Sequence, residues 1–236
     1  YIMSLYNLGM CQAKNKFFSE MPLTVKYLKD FSKQTSKYQP DSVYTIDMLV
    51  VKLELERYNL IGKYKDAIDI AKTHFEKIKN GVQMQMTPED KITICFQLLK
   101  AAVSSKDYGL AKKVLNFSIS NLDNVVRTDL HSMFRLINMV IYFDAEDEQA
   151  LESAYASAKK YLIKRNIVFQ VESLMLEFFK KQLGGVKGKE IYIRNLHSLK
   201  RELSQLQNNP YEKQAFYLFD FSAWVEGKLK SKMPFK

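Results

Sequence analysis

The sequence predicts an all-α fold of about five antiparallel helix pairs, closed by a C-terminal capping helix. Three observations carry that expectation. Apolar residues recur at three- and four-residue spacing along almost the whole 236-residue chain, the pattern of amphipathic helices. Glycine (8) and proline (5) together make about 5.5% of the chain, against roughly 12% in average proteins, which is too few turn residues for a β-rich fold. The breakers fall between the periodic stretches. Pro22, Pro40, Pro88 and Pro210 each sit at or just before the start of one, where a missing N–H costs no helical hydrogen bond.

Eleven helices follow in order. The first spans 2–19, and Pro22 opens the second, 22–36. Pro40 precedes 41–61. Gly62 separates that helix from 64–80, which begins Tyr64-Lys65-Asp66-Ala67. The run Thr87-Pro88-Glu89-Asp90 is a strong start for 88–104: a hydroxyl to cap, a proline in the first turn, and two acids beside the positive end of the helix dipole. Asp107 opens 107–121; 125–143 carries the apolar run Leu136 to Phe143; Asp147 opens 147–164. The stretches 167–183 and 188–207 flank a turn at Gly184-Gly185-Val186-Lys187-Gly188. Asn208-Asn209-Pro210 introduces the last helix, 210–230. Short links between such helices make antiparallel neighbours.

Apolar residues form 47% of the chain, enough for a sizeable core. No apolar run approaches the ~20 residues of a membrane span. The two cysteines, Cys11 and Cys95, lack metal or redox spacing and fit a reducing compartment, so a cytoplasmic location is expected. His74, His131 and His197 have no second His or Cys at ligand spacing. No phosphate loop and no nucleophile elbow is present. The expectation is therefore a non-enzyme without cofactor or metal.

The net charge of +10 is unevenly placed. Residues 159–236 hold 16 Lys/Arg against 7 Asp/Glu, and the preceding residues 20 against 19. Lys180, Lys181, Lys187, Lys189, Arg194, Lys200 and Arg201 form a candidate basic patch, beside the apolar seam Leu196, Leu199, Leu203 and Leu206. In the last helix Tyr211, Phe216, Tyr217, Phe219, Phe221 and Trp224 surround most of the circumference. Burial by a kink or by the tail Met233-Pro234-Phe235 would account for them. Alternatively Phe216, Phe219 and Trp224 form a face for self-association or partner docking.

The chain also repeats. Phe18, Tyr64 and Tyr108 each precede by three a residue that opens a second helix, namely Met21, Ala67 and Ala111, and Ala150 continues the series at spacings of 46, 44 and 39. A small residue there lets two helices approach, and the ring closes the turn. Tyr6-Asn7-Leu8-Gly9, Tyr58 and Gly62-Lys63-Tyr64-Lys65-Asp66-Ala67-Ile68 resemble the tetratricopeptide repeat, with a period longer than that family's 34 residues. The likeness covers 1–165, followed by divergent basic helices and a cap over 166–236, read together as one domain. Because Tyr1 stands inside a helix, the chain is expected to be part of a longer one.

The resemblance alone implies that the helix pairs wind into a right-handed solenoid. It also implies a groove lined by first helices, here Tyr6, Asn7, Met10, Lys52, Glu56, Asn59, Phe96, Gln97, Lys100, Arg135, Met139 and Tyr142. It implies a non-catalytic interaction scaffold for a peptide or protein, with an acidic partner favoured by the charge. Glu56 stands four residues after Lys52, where the family's carboxylate clamp has Asn, so a C-terminal carboxylate is not the expected ligand. The alternatives are nucleic-acid binding through the basic last third and a peptide-sensing regulatory domain.

Overall fold

A computed structural model describes residues 1–36, 40–81, 86–123, 125–165, 169–184 and 188–231, apart from the side chains of Pro40 and Asp41. Among the described residues there are twelve helices and no strand: α1 Ile2–Lys14, α2 Met21–Thr35, α3 Pro40–Leu60, α4 Tyr64–Lys79, α5 Pro88–Ser104, α6 Tyr108–Asn121, α7 Thr128–Asp144, α8 Glu148–Lys164, α9 Gln170–Leu183, α10 Lys189–Leu206, α11 Lys213–Leu218 and α12 Phe221–Lys230. The chain forms two compact units, residues 1–127 and 128–236.

Four helix ends close with the same turn. Lys16, Gly62, Lys106 and Glu146 adopt left-handed φ values of 63, 76, 62 and 56°. The next amide in each case donates to the carbonyl five residues back: Phe17 to Gln12 at 2.8 Å, Lys63 to Tyr58 at 2.9 Å, Asp107 to Ala102 at 2.8 Å and Asp147 to Tyr142 at 3.1 Å. This is a Schellman closure, which satisfies the carbonyls left over at a helix end. Five residues beyond each left-handed position stand Met21, Ala67, Ala111 and Leu151, all buried. The fourth member of the repeat is therefore Leu151 rather than Ala150, because the turn and not the alanine sets the register. The same turn ends α1 at Lys14, short of residue 19.

Side-chain caps fix the starts of several helices. Thr87 Oγ1 accepts from the Asp90 amide at 3.1 Å, while Asp107 and Asp147 accept from Leu110 and Ala150, both at 3.0 Å. Asp220 accepts from Ala223 at 2.8 Å. That last cap explains a correction: the stretch 210–230 is two helices. Phe219 is extended at φ −148°, ψ 131°, and Asp220 restarts the chain as α12.

In the first unit α3 packs against α1, α2, α4 and α5, and α5 packs against α3, α4 and α6. First helices thus touch first helices, and α2 and α4 each also touch the first helix of the following pair. Gly9 makes the α1–α3 contact possible. A Cβ at that position would lie 2.8 Å from Leu53 Cδ1 and 2.9 Å from Cδ2, and Leu53 is wholly buried among Ala13, Met21, Leu28 and Ile46. In the second unit α9 packs against α7, α8 and α10, α10 against α12, and α7 also against α11. Its core gathers Phe143, Phe178 and Phe179 in edge-to-face contacts at 5.3–5.7 Å.

Candidate functional site

The groove positions of the first unit come together as a polar ladder between α1, α3 and α5. Lys52 Nζ stands 2.7 Å from Asp90 Oδ1 and 5.4 Å from the centre of the Tyr6 ring. Asp90 in turn accepts from the Thr87 hydroxyl at 2.8 Å. One turn on, Glu56 accepts from Gln97 Nε2 and lies 3.6 Å from Lys100 Nζ. Asn59 Nδ2 donates to both the backbone oxygen and Oε1 of Gln97, at 3.0 and 2.8 Å. Glu56, Asn59, Asp90 and Gln97 are buried, and most of their polar atoms find partners in the ladder; Asn59 Oδ1 has none among the described residues. Burial, with Glu56 as the leading nearby charge, pushes the Tyr6 hydroxyl up to about 12. Lys52, Asn59, Gln97 and Lys100 therefore hold helix to helix, and Asn7 alone of the groove residues named in this unit is exposed.

Arg135 and Tyr142 belong to the second unit. Arg135 is buried, donates to the His131 carbonyl at 3.0 Å, and lies over the Tyr161 ring at 3.9 Å. Tyr142 is half-buried on α7. Beside Arg135 sits a buried charge cluster that the sequence did not announce. Arg165 donates to the Thr128 carbonyl at 3.3 Å, to the Ser132 hydroxyl, and to Glu172 Oε2 at 3.0 Å. Glu172 also accepts from the Phe169 amide at 3.0 Å. Glu212 accepts from the amides of Gln170 and Val171 at 3.0 and 3.1 Å. Two carboxylates from positions 40 apart in the chain thus saturate the first amides of α9, whose dipole favours negative charge there. A pattern of Glu at the third helical position was the available sequence signal, but the pairing with Glu212 is long-range.

No protein-family model, curated protein or solved structure matches the chain. Among the described residues no group of three or more His, Cys, Asp or Glu could hold a metal ion, and no helix is long and apolar enough to cross a membrane.

The basic patch is split by its partners. Lys181 pairs with Glu177 at 2.7 Å and Lys200 with Glu226 at 3.0 Å. Lys180, Lys189, Arg194 and Arg201 are exposed, and none of their side chains forms an ion pair or hydrogen bond with a described residue. Lys187 lies outside the described residues, as do Met233, Pro234 and Phe235.

Of the aromatic face, Trp224 turns inward. Its Nε1 donates to Asp144 Oδ1 at 3.1 Å, and its ring packs within 5.9–6.0 Å of Phe143, Phe178 and Phe179. Phe219 stacks on the buried Phe221 at 4.8 Å, and Phe216 is half-buried. The exposed aromatic here is Tyr211.

The sequence reading also missed the exposed apolar residues of the first helix pair. Six of the ten exposed large apolar residues among those described are Tyr1, Met3, Leu8, Phe17, Leu23 and Tyr27. They belong to α1, α2 and the turn between. Tyr1 lies 5.7 Å from Phe31 at one end of this pair, and Thr24 donates to Gln12 at 2.8 Å near the other.

Proposed function

We propose that the protein is a non-catalytic interaction scaffold of the tetratricopeptide-like kind, in which stacked helix pairs offer a preformed surface to a partner protein. The observation that carries the reading is the gathering of exposed apolar side chains on α1 and α2. Exposed apolar residues scattered singly need no explanation, whereas a concentration of them marks a contact surface. The polar ladder supports it. Helices locked in register by Lys52–Asp90 and Glu56–Gln97 lose little conformational freedom when a partner binds. A right-handed superhelical stack with a groove along its first helices belongs to the same proposal.

The test is capture of a partner with the intact chain, followed by rebinding of the purified, identified protein. A Leu8→Lys, Tyr27→Lys variant keeps the buried face of both helices. Loss of rebinding by that variant is the expected result. Unchanged rebinding removes the basis of the reading.

A second reading, nucleic-acid binding, is favoured by the unpaired exposed cations Lys180, Lys189, Arg194 and Arg201. Contacts of that kind lose affinity steeply as salt rises.

A further inference from the structure

The second unit contains a cleft of about 470 Å³ between α9 and α10. Its floor is apolar: Leu174 and Phe178 from α9, Leu199 from α10. Its rim is charged. Arg194 and Arg201 stand two turns apart on the same face of α10, about 10 Å along the axis at 1.5 Å per residue, with Lys181 opposite them on α9. The carboxylates of the cleft each have a partner on their own helix. Glu177 is held by Lys181 at 2.7 Å, and Glu202 accepts from the Ser198 hydroxyl at 2.8 Å. The two arginine side chains form no ion pair or hydrogen bond with a described residue.

We propose that this cleft docks an acidic peptide segment, seating one large apolar side chain against the half-buried Leu174 while flanking carboxylates engage Arg194 and Arg201. Guanidinium groups favour carboxylates because the planar fork donates two parallel hydrogen bonds. The separation of the arginines corresponds to about three residues of an extended segment, where each residue advances about 3.3 Å. An apolar floor between the charges suits a peptide better than a nucleic acid. Stacking of bases needs open aromatic faces, and the Phe178 ring is buried against Phe143, Phe179 and Trp224. The proposal concerns a different unit from the α1–α2 surface. The Leu8→Lys, Tyr27→Lys variant is therefore expected to bind the peptide normally, which separates failure of this inference from failure of the scaffold reading.

The experiment uses the full chain and three fluorescein-labelled probes, followed by anisotropy. The first is an acidic dodecapeptide of Asp and Glu with one central Phe, the second the same peptide with Ser for Phe, and the third a dodecamer of deoxythymidine. The phenylalanine peptide is expected to bind, with the serine peptide weaker by roughly tenfold or more, as loss of a buried aromatic side chain implies. Arg194→Glu with Arg201→Glu is expected to lower affinity for the phenylalanine peptide by at least about tenfold. Lys26→Glu with Lys72→Glu changes net charge equally on the other unit and is expected to leave it unchanged. Both pairs lie on exposed positions, and circular dichroism verifies that the variants fold. Absence of peptide binding overturns the proposal. So do equal affinity for the serine peptide, indifference to the arginine substitutions, an equal loss in the lysine variant, and tighter binding of the oligonucleotide.

Discussion

Replacing Gly9 with alanine tests the packing of the first unit most directly. The added methyl would sit 2.8 and 2.9 Å from the two Leu53 methyl carbons and 3.4 Å from Cγ. Leu53 is wholly buried in the α1–α2–α3 core, so its methyls must shift against packed neighbours to admit the new one. Overpacking of this kind costs about 1–3 kcal/mol, while alanine gains about 1 kcal/mol over glycine in a helix interior. The expected net effect of Gly9→Ala is a loss of about 1 kcal/mol. Leu53→Ala alone costs about 2–5 kcal/mol through its cavity. In that background the alanine methyl enters vacated space, and Gly9→Ala becomes favourable by about 1 kcal/mol. The coupling between the two sites is then about 2 kcal/mol, within the range for residues in contact. Urea titration followed by amide hydrogen exchange in α1 and α3 reads the four members of the cycle. An effect of Gly9→Ala that is the same with and without Leu53, or a gain while Leu53 is present, refutes the close-approach argument.

Lys106→Gly and Glu146→Gly should each stabilise the protein by about 0.5–1 kcal/mol, because non-glycine residues at left-handed φ carry strain that glycine avoids; Lys106→Ala, measured in the same urea titration, should give no such gain. Cys11 is exposed, whereas burial pushes the Cys95 thiol up to about 12. A disulfide exchange reagent should therefore titrate one thiol rapidly in the folded protein, and the second only after unfolding. Glu212→Gln removes one of the two carboxylate acceptors at the start of α9, and should cost about 1–3 kcal/mol and speed exchange at the Gln170 and Val171 amides. Burial raises the Glu172 carboxyl above its ordinary 4.5, against the lowering effects of the Phe169 amide and Arg165. Folding thus favours the protonated form. The linked stability is full below about 4.5 and is lost as pH rises through the raised value. Urea midpoints from mildly acidic to neutral pH should show the wild type losing ground to Glu172→Gln as the pH rises.

Helices and their breaks were largely legible because local rules govern them. Thr87, Asp107 and Asp147 cap where a polar residue precedes an apolar-periodic stretch, and Gly62 takes the left-handed position that glycine favours. The repeat spacing was also visible, but its register was not. A left-handed lysine or glutamate carries no compositional mark, so Lys16, Lys106 and Glu146 went unseen and Ala150 stood in for Leu151. The break at Phe219–Asp220 was hidden by aromatic residues that continue the helical period. Among candidate site residues, the family resemblance pointed to Lys52, Asn59, Gln97 and Lys100 as one groove without revealing that they face each other across helices. Such pairing depends on contacts some forty residues apart, as Asn59 with Gln97. The same limit hid Glu212 at the start of α9.

The placement of Trp224 has a practical consequence. It is the sole tryptophan, it bonds to Asp144 near the C-terminal end of α7, and its ring touches phenylalanines of both α7 and α9. Its emission is a natural optical gauge of whether α12 remains seated. Undocking that short helix would shift the indole from hydrocarbon to water, giving a red-shifted signal from residues 128–236 without attaching any dye.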